Sequence, residues 1–368
     1  MVKIPENYTP SLGLYETQKA IGLIKNVFLV KICAALHLKR VTAPLFVDPS
    51  TGLNDDLNGV ERPVEFDIPA VGGNAQVVHS LAKWKRLALH DYGFYVGNGL
   101  VADMNAIRRD EELDNLHSIY VDQWDWEKVI DRDTRNMAYL EDTVRRIVSA
   151  ICGTLDELKW QFSGLSTELC RDVYFITAQE LEDRYPDLTP KQRENVIVRE
   201  HRTVFIEQIG GVLKSGKPHD GRAPDYDDWD MNGDILFYNP ILDSALEISS
   251  MGIRVSPESL DRQLTLAGCD DRRAAFGGGP AVPQNAFKRR AAAHHRRRHR
   301  AVAPLYASAR QSTYRRGASF PLGRGDPPRL CRKGRYPAVI TLEAEYNRSP
   351  LLRFLLCSRG PFLCRKNL

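Results

Sequence analysis

The chain has 368 residues, 43% of them hydrophobic, which is enough apolar material for one large domain or two ordinary ones. It contains no run of about 18 apolar residues, and its start, Met1-Val-Lys-Ile-Pro-Glu6, lacks a signal-peptide core, so neither a membrane span nor a secretory leader is expected. The formal charge of +4 hides a break: residues 274–368 hold 20 Lys+Arg against 3 Asp+Glu, whereas residues 1–273 hold 31 against 44.

Along the chain, residues 1–14 read as a loose lead. Residues 15–36 read as an amphipathic helix, with Ile21, Ile24, Val27, Phe28, Ile32 and Leu36 near helical spacing. Residues 39–47 form a strand interrupted by Pro44, hence an edge or interface strand. A loop from Gly52 to Gly59 carries Asp55 and Asp56, and residues 64–71 and 76–80 read as paired strands. Residues 81–90 are a short basic segment, and residues 93–106 a glycine-containing strand and turn. Residues 117–126 alternate polar and apolar, the pattern of a two-faced strand. A helix over 134–158 follows, then a strand at 173–178, a helical turn ending at Tyr185-Pro186, and a helix opened by Thr189-Pro190. Strands at 204–209, 235–238 and 245–255 and a helix from Ser256-Pro257 to about Ala267 complete the ordered pattern. With no regular βαβ repeat, the expected fold class is α+β, an antiparallel sheet flanked by helices. Seven scattered cysteines without a C-x-x-C pair point to free thiols in a reducing cytoplasm.

The stretch from His117 to Trp126 is the most informative. Ile119 and Val121 share a face with Gln123 and Asp125; Tyr120, Asp122, Trp124 and Trp126 take the other. An amide and a carboxylate in line with aliphatic residues suit the floor of a pocket for a small zwitterion, whose ammonium wants such acceptors. Further clusters are Asp55-Asp56, His79-Ser-Leu-Ala-Lys-Trp-Lys-Arg86, Arg108-Arg-Asp-Glu111, the acidic loop at residues 222–229 and residues 247–254. Together they offer carboxylates for a divalent ion and arginines for phosphate. Each also has a plain reading: an Asp-Asp pair is ordinary turn chemistry, Lys83 to Arg86 a solvated basic face, Arg108 to Glu111 a surface charge cluster. No P-loop or nucleotide-binding G-x-G-x-x-G occurs before Arg273, and no metal-ligand Cys/His set.

Residues 15–272 resemble the asparagine synthetase A (aspartate–ammonia ligase) family. The likeness runs through Ala43-Pro-Leu45, residues 77–86, 117–126, 179–188, Ile209-Gly-Gly211, 222–229, Asn232-Gly-Asp-Ile235 and Ser249-Ser-Met-Gly-Ile-Arg254, in the family's order. It implies the class II aminoacyl-tRNA synthetase catalytic core and a cytoplasmic homodimer, the helix 15–36 and the Pro44 strand resembling that class's dimer motif. It implies that aspartate is held by Asp55, Lys85, Gln123, Asp125, Ser250 and Arg254, with Lys85, Asp125 and Arg108 as the catalytic set. Arg108 would clamp the α-phosphate of ATP, with Asp227 and Asp234 near ATP, and Asp234 and Glu247 near Mg2+. The implied reaction forms β-aspartyl-AMP and pyrophosphate, then asparagine and AMP on attack by ammonia. A tRNA synthetase would need an anticodon-binding domain, for which the residues before the core leave little room. A glutamine-using synthetase would need a cysteine where Val2 stands.

After about Arg273 the likeness ends. The family resemblance calls for Thr-Ile-Gly-Gly-Gly-Ile-Gly-Gln-Ser-Arg-Leu, the class II motif three, whose arginine contacts ATP. The chain instead reads His294-His-Arg-Arg-Arg-His-Arg300. If His295 is CAT and Arg296 to Arg298 are each CGG, a one-base shift gives Ile-Gly-Gly-Gly. His299, Arg300 and Ala301 then continue as Ile-Gly-Gln, and residues 302–306 allow Ser-Arg-Leu-Cys-Met. The ending therefore reads as a frameshifted translation beginning between Arg273 and His294, so the domains are a lead at 1–14, a catalytic core at 15–273 and an irregular tail at 274–368. Loss of motif three is expected to remove a central strand and leave the chain weakly active or inactive. The competing reading is a catalytically dead synthetase-like protein with a basic nucleic-acid arm around Arg296–Arg300, or a metal site at His294, His295 and His299.

Overall fold

The computed structural model describes residues 9–54, 57 and 61–268. Asp55, the expected irregular tail and the histidines at 294–299 lie outside the described residues. In chain order the elements are α1 (Leu14–Leu36), β1 (Leu38–Arg40), β2 (Phe46–Val47), β3 (Glu65–Ile68), β4 (Gly73–Val77), α2 (Ala82–Asp91), β5 (Gly99–Ile107), β6 (Tyr120–Lys128), α3 (Met137–Gln161), β7 (Tyr174–Thr177), α4 (Ala178–Arg184), α5 (Pro190–His201), β8 (Thr203–Glu207), β9 (Asp227–Asn239), β10 (Ser244–Arg254) and α6 (Pro257–Leu266).

The core forms where two helices lay apolar stripes on the sheets. Ala20, Ile24, Phe28, Ile32 and Leu36 recur at four-residue spacing along α1, and Leu140, Val144, Ile147, Val148, Ile151, Leu155 and Leu158 line α3. Both meet Val101 of β5 and Phe205, Ile235, Phe237, Met251 and Ile253 of β8 to β10. A side chain such as Ile24, fully buried, contributes about 1.5–3 kcal/mol. Asn136 caps α3 by accepting from the Tyr139 N–H at 2.9 Å, and Ser256 caps α6 by accepting from the Ser259 N–H at 3.1 Å.

The strands make three sheets, ordered β1-β5-β6, β2-β4-β3 and β10-β9-β8-β7. Antiparallel ladders dominate, as expected for an α+β chain. Two pairings differ from that expectation: β1 with β5 and β7 with β8 are parallel. The second is a crossover through α4 and α5, the connection a parallel pair needs. The strand read over 39–47 is two short strands in different sheets, because Pro44 cannot donate to a ladder. The strand read from His117 starts at Tyr120, and β9 begins inside the acidic loop, at Asp227. Among the described residues β6 pairs with β5 alone and β10 with β9 alone. Each thus keeps one open ladder edge, while both sheets pack on the same core.

Glu207, the last residue of β8, is buried and its Oε1 has no hydrogen-bond partner. Burial, then the charges of Glu141 and Glu180, push its carboxyl up to about 7 from an ordinary 4.5. The unfolded chain gives up this proton first, so stability falls as pH rises from about 4.5 to about 7 and stays lower above that. Glu207→Gln is therefore expected to raise the unfolding free energy at pH 8 by on the order of 1–2 kcal/mol, discounted for the nearby solvent, and to leave it unchanged near pH 4. Thermal denaturation at the two pH values checks this; an equal gain at both would contradict it.

Candidate active site

The alternation read from the sequence holds on β6. Trp124 and Trp126 turn to the α1–α3 core, and Asp122 on that face receives Lys25 of α1 at 2.6 Å. The opposite face carries Val121, Gln123, Asp125 and Glu127, which sit across the ladder from Ala106, Met104, Ala102 and Leu100 of β5. This is a floor of small and apolar side chains with one row of polar groups. Gln123 is exposed on it, Asp125 partly buried and Glu127 buried.

Lys85 comes down onto this floor from α2. Leu81, Lys85 and Leu89 lie four residues apart and are all buried, so the lysine occupies the inward stripe of the helix. Its Nζ pairs with Asp125, donates to the Trp126 carbonyl at 3.1 Å and lies 3.9 Å from Glu127. The reading of Lys83 to Arg86 as a solvated face fails for Lys85.

The β9–β10 ribbon faces the same space. One side sends Ile235, Phe237, Met251 and Ile253 into the core. The other carries Asp227, Asp234, Glu247, Ser250 and Arg254, with Ser250 across from Asp234 and Arg254 across from Asp227. Arg254 donates to Glu127 at 3.0 Å and to Asp227 at 2.8 Å, so side chains span from β10 to β6 where no ladder does. Arg86 joins at 3.5 Å from Glu127. Burial alone would push the Glu127 carboxyl up; Arg254, Lys85 and Arg86 outweigh it and hold it below the usual range.

A second group forms further along the ribbon. Asp234 is buried and paired with Arg222, and its Oδ1 has no hydrogen-bond partner. Burial, opposed by Arg222, raises its carboxyl. Glu247 reaches the surface, yet the protein packed around it and then Asp234 beside it push its carboxyl up to about 7. A buried carboxylate that raises a second one beside it is a setting that a cation relieves.

Arg108 stands apart, just past the end of β5, its backbone N–H donating to the Ile119 carbonyl at 2.8 Å. It lies four positions beyond Met104, the partner of Gln123, roughly 13 Å along the strand. Its guanidinium is 3.8 Å from Glu111, and its Nε is buried without a hydrogen-bond partner. The structure thus brings Lys85, Asp125, Arg254 and Asp227 into one group, with Gln123 on the same strand face, and Asp234, Glu247 and Ser250 into another. Asp227, assigned to the ATP side, is engaged by Arg254. A hollow of about 540 Å³ lies elsewhere, lined by Glu182, Asp183, Pro186, Lys214 and Ser215. Sequence reasoning missed Glu127 and gave Arg86 no role beyond its place in a charged cluster. The signal for Glu127 was present, since it continues the Gln123–Asp125 alternation by one step.

The family model for aspartate–ammonia ligase matches residues 15–276. The aspartate–ammonia ligase of Clostridium perfringens strain SM101 is 58% identical over 271 residues, 73% of this chain and 81% of the relative. The chain belongs to the aspartate–ammonia ligase family. That of Ruminiclostridium cellulolyticum is 56% identical over 270 residues, covering 73% of this chain and 80% of the relative. The aspartate–ammonia ligase match takes in every candidate residue from Asp55 to Arg254 and stops at residue 276. Among solved structures, an Entamoeba histolytica asparaginyl-tRNA synthetase in complex with asparaginyl-adenylate is similar at 12% identity and a TM-score of 0.48. That alignment covers 71% of this chain and 59% of the synthetase, under two thirds of its length.

Proposed function

We propose that this ligase-family pocket joins ammonia to aspartate through β-aspartyl-AMP, using ATP. The carrying observation is the row Gln123–Asp125–Glu127 facing Lys85 and Arg254 across a floor of Ala102 and Met104. Aspartate brings one ammonium and two carboxylates. Asp125 and Gln123 accept from the ammonium and Lys85 and Arg254 pair with carboxylates; the resemblance adds Asp55 and Ser250, the latter standing across the ladder from Asp234. Lys85 and Asp125 now neutralise each other; the zwitterion replaces that pair with its own charges, so little charge is left uncompensated on binding.

A carboxylate is a poor acyl donor. Attack of the β-carboxylate oxygen on the α-phosphorus releases pyrophosphate and makes AMP the leaving group. Attack of ammonia on the acyl carbon then gives asparagine and AMP. Arg108, with a buried unpartnered donor, suits the developing phosphate charge. Magnesium fits Asp234 and Glu247, one with an orphaned buried oxygen and both raised in pKa. Among the described residues no group of three or more His, Cys, Asp or Glu forms a metal cage, so phosphate oxygens and water would fill the remaining positions. When bound, the ion would neutralise phosphate charge.

The ending of the chain is proposed to be out of frame from a point between residues 276 and 294. The family match ending at 276 supports this. A homodimer is supported by Leu14, Tyr15 and Val30 of α1 and by Leu45, all exposed. Among the described residues no helix is long and apolar enough to cross a membrane, and Cys33, Cys152 and Cys170 are free thiols, which suits a cytoplasmic enzyme. With the frame restored, aspartate, ammonium, ATP and magnesium should yield asparagine and AMP in equal amounts. Formation of ADP in place of AMP would contradict the reading.

A further inference from the structure

We propose that Glu127 is the positioning residue of the aspartate pocket: it fixes Lys85 and Arg254 so that their cationic ends face the bound amino acid. The proposal rests on the reading of this pocket as an aspartate site and adds a residue that the family resemblance did not assign.

Glu127 lies two residues beyond Asp125 on the same strand face, but its carboxylate is 10% exposed and its oxygens are already engaged. Arg254 approaches with Nη2 at 3.0 Å and Nε at 3.4 Å, Arg86 with Nε at 3.5 Å and Lys85 with Nζ at 3.9 Å. These cations come from α2 and from the far end of β10. The guanidinium groups of Arg86 and Arg254 lie 5.8 Å and 5.3 Å from the centre of the Tyr226 ring.

Cations gathered on one buried spot repel each other unless an anion sits between them. Asp125 and Asp227 each hold one of them from the side, Asp125 taking Lys85 and Asp227 taking Arg254. Glu127 touches both, and Arg86 as well. Without it Arg254 would be free to turn toward Asp227, withdrawing one arm of the carboxylate fork, while Lys85 kept Asp125. Glu127 thus acts through its neighbours and not on the substrate.

A purely architectural ion pair would loosen the whole fold alike, so the test must separate ligands. Every residue invoked lies between Lys85 and Arg254, so the full chain as it stands is used. Titration calorimetry with L-aspartate and, separately, with ATP is run on the parent chain, Glu127→Gln, Arg254→Gln and the double variant. Glu127→Gln should weaken aspartate at least tenfold and change ATP by less than twofold. The double variant should bind aspartate no more weakly than Arg254→Gln alone, since the two act as one unit. Glu127→Asp keeps the charge, and so guards against a folding defect. It should weaken aspartate at least threefold, again sparing ATP. Aspartate binding within twofold of the parent in Glu127→Gln, losses that multiply in the double variant, or equal losses for both ligands would overturn the proposal. A parent chain that binds ATP but no aspartate would instead overturn the pocket assignment, and Glu127's role with it.

Discussion

Restoring the proposed frame should raise asparagine formation at least a hundredfold over the chain as written. Every described catalytic candidate precedes residue 269, so the pocket floor, Lys85 and the β9–β10 ribbon are common to both proteins. The difference is the ending. Codons compatible with the stretch from His295 can, one base on, read Ile-Gly-Gly-Gly-Ile-Gly-Gln-Ser-Arg-Leu, a motif that the family resemblance places beside ATP through its arginine. A lost cationic contact to a reacting phosphate costs on the order of 10²–10³ in rate. Parallel assays of aspartate- and ammonium-dependent pyrophosphate release compare the two chains directly. Equal turnover would show that the Arg-rich ending is no defect.

Replacing Arg108 with alanine in the frame-restored protein should lower the rate of AMP formation by about 10²–10³-fold. Its Nε is already desolvated and unpartnered, so its reorganisation on meeting a phosphate is small. It stands roughly 13 Å along the strand from the level of Gln123, too far to touch the aspartate that Asp125 and Lys85 hold. Aspartate affinity should therefore stay within twofold. If aspartate binding and rate fall together, Arg108 holds the amino acid and the separation into two subsites is wrong.

The long periodic elements were legible in the sequence because one physical signal dominates each. The stripe Ile24, Phe28, Ile32 defined α1, and the alternation through Gln123 and Asp125 gave the two faces of β6. The parallel pairing of β1 with β5 was not legible, since it joins Leu38 to Gly99 across a stretch in which no local pattern records a partner. Lys85 was assigned through the family resemblance and not by its local pattern. Its neighbours Lys83 and Arg86 make the segment look like a surface, and only the spacing of Leu81 and Leu89 shows that the lysine points inward. The acidic loop at 222–229 concealed the start of β9, because Asp227 and Asp228 are poor strand formers in isolation and are stabilised there by Arg254 and Arg135. The pairing of Asp234 with Arg222, 12 residues earlier, and of Glu127 with Arg254, 127 residues later, belongs to the tertiary fold and leaves no mark on composition.

The most direct test of the central claim follows one oxygen atom. Aspartate labelled with 18O in its β-carboxylate is given to the frame-restored protein with ATP, magnesium and ammonium, and the nucleotide product is analysed by mass spectrometry. Attack of the carboxylate on the α-phosphorus predicts AMP carrying one labelled oxygen for each asparagine formed. Label in inorganic phosphate or pyrophosphate, or asparagine formed alongside unlabelled AMP, would contradict the adenylate route.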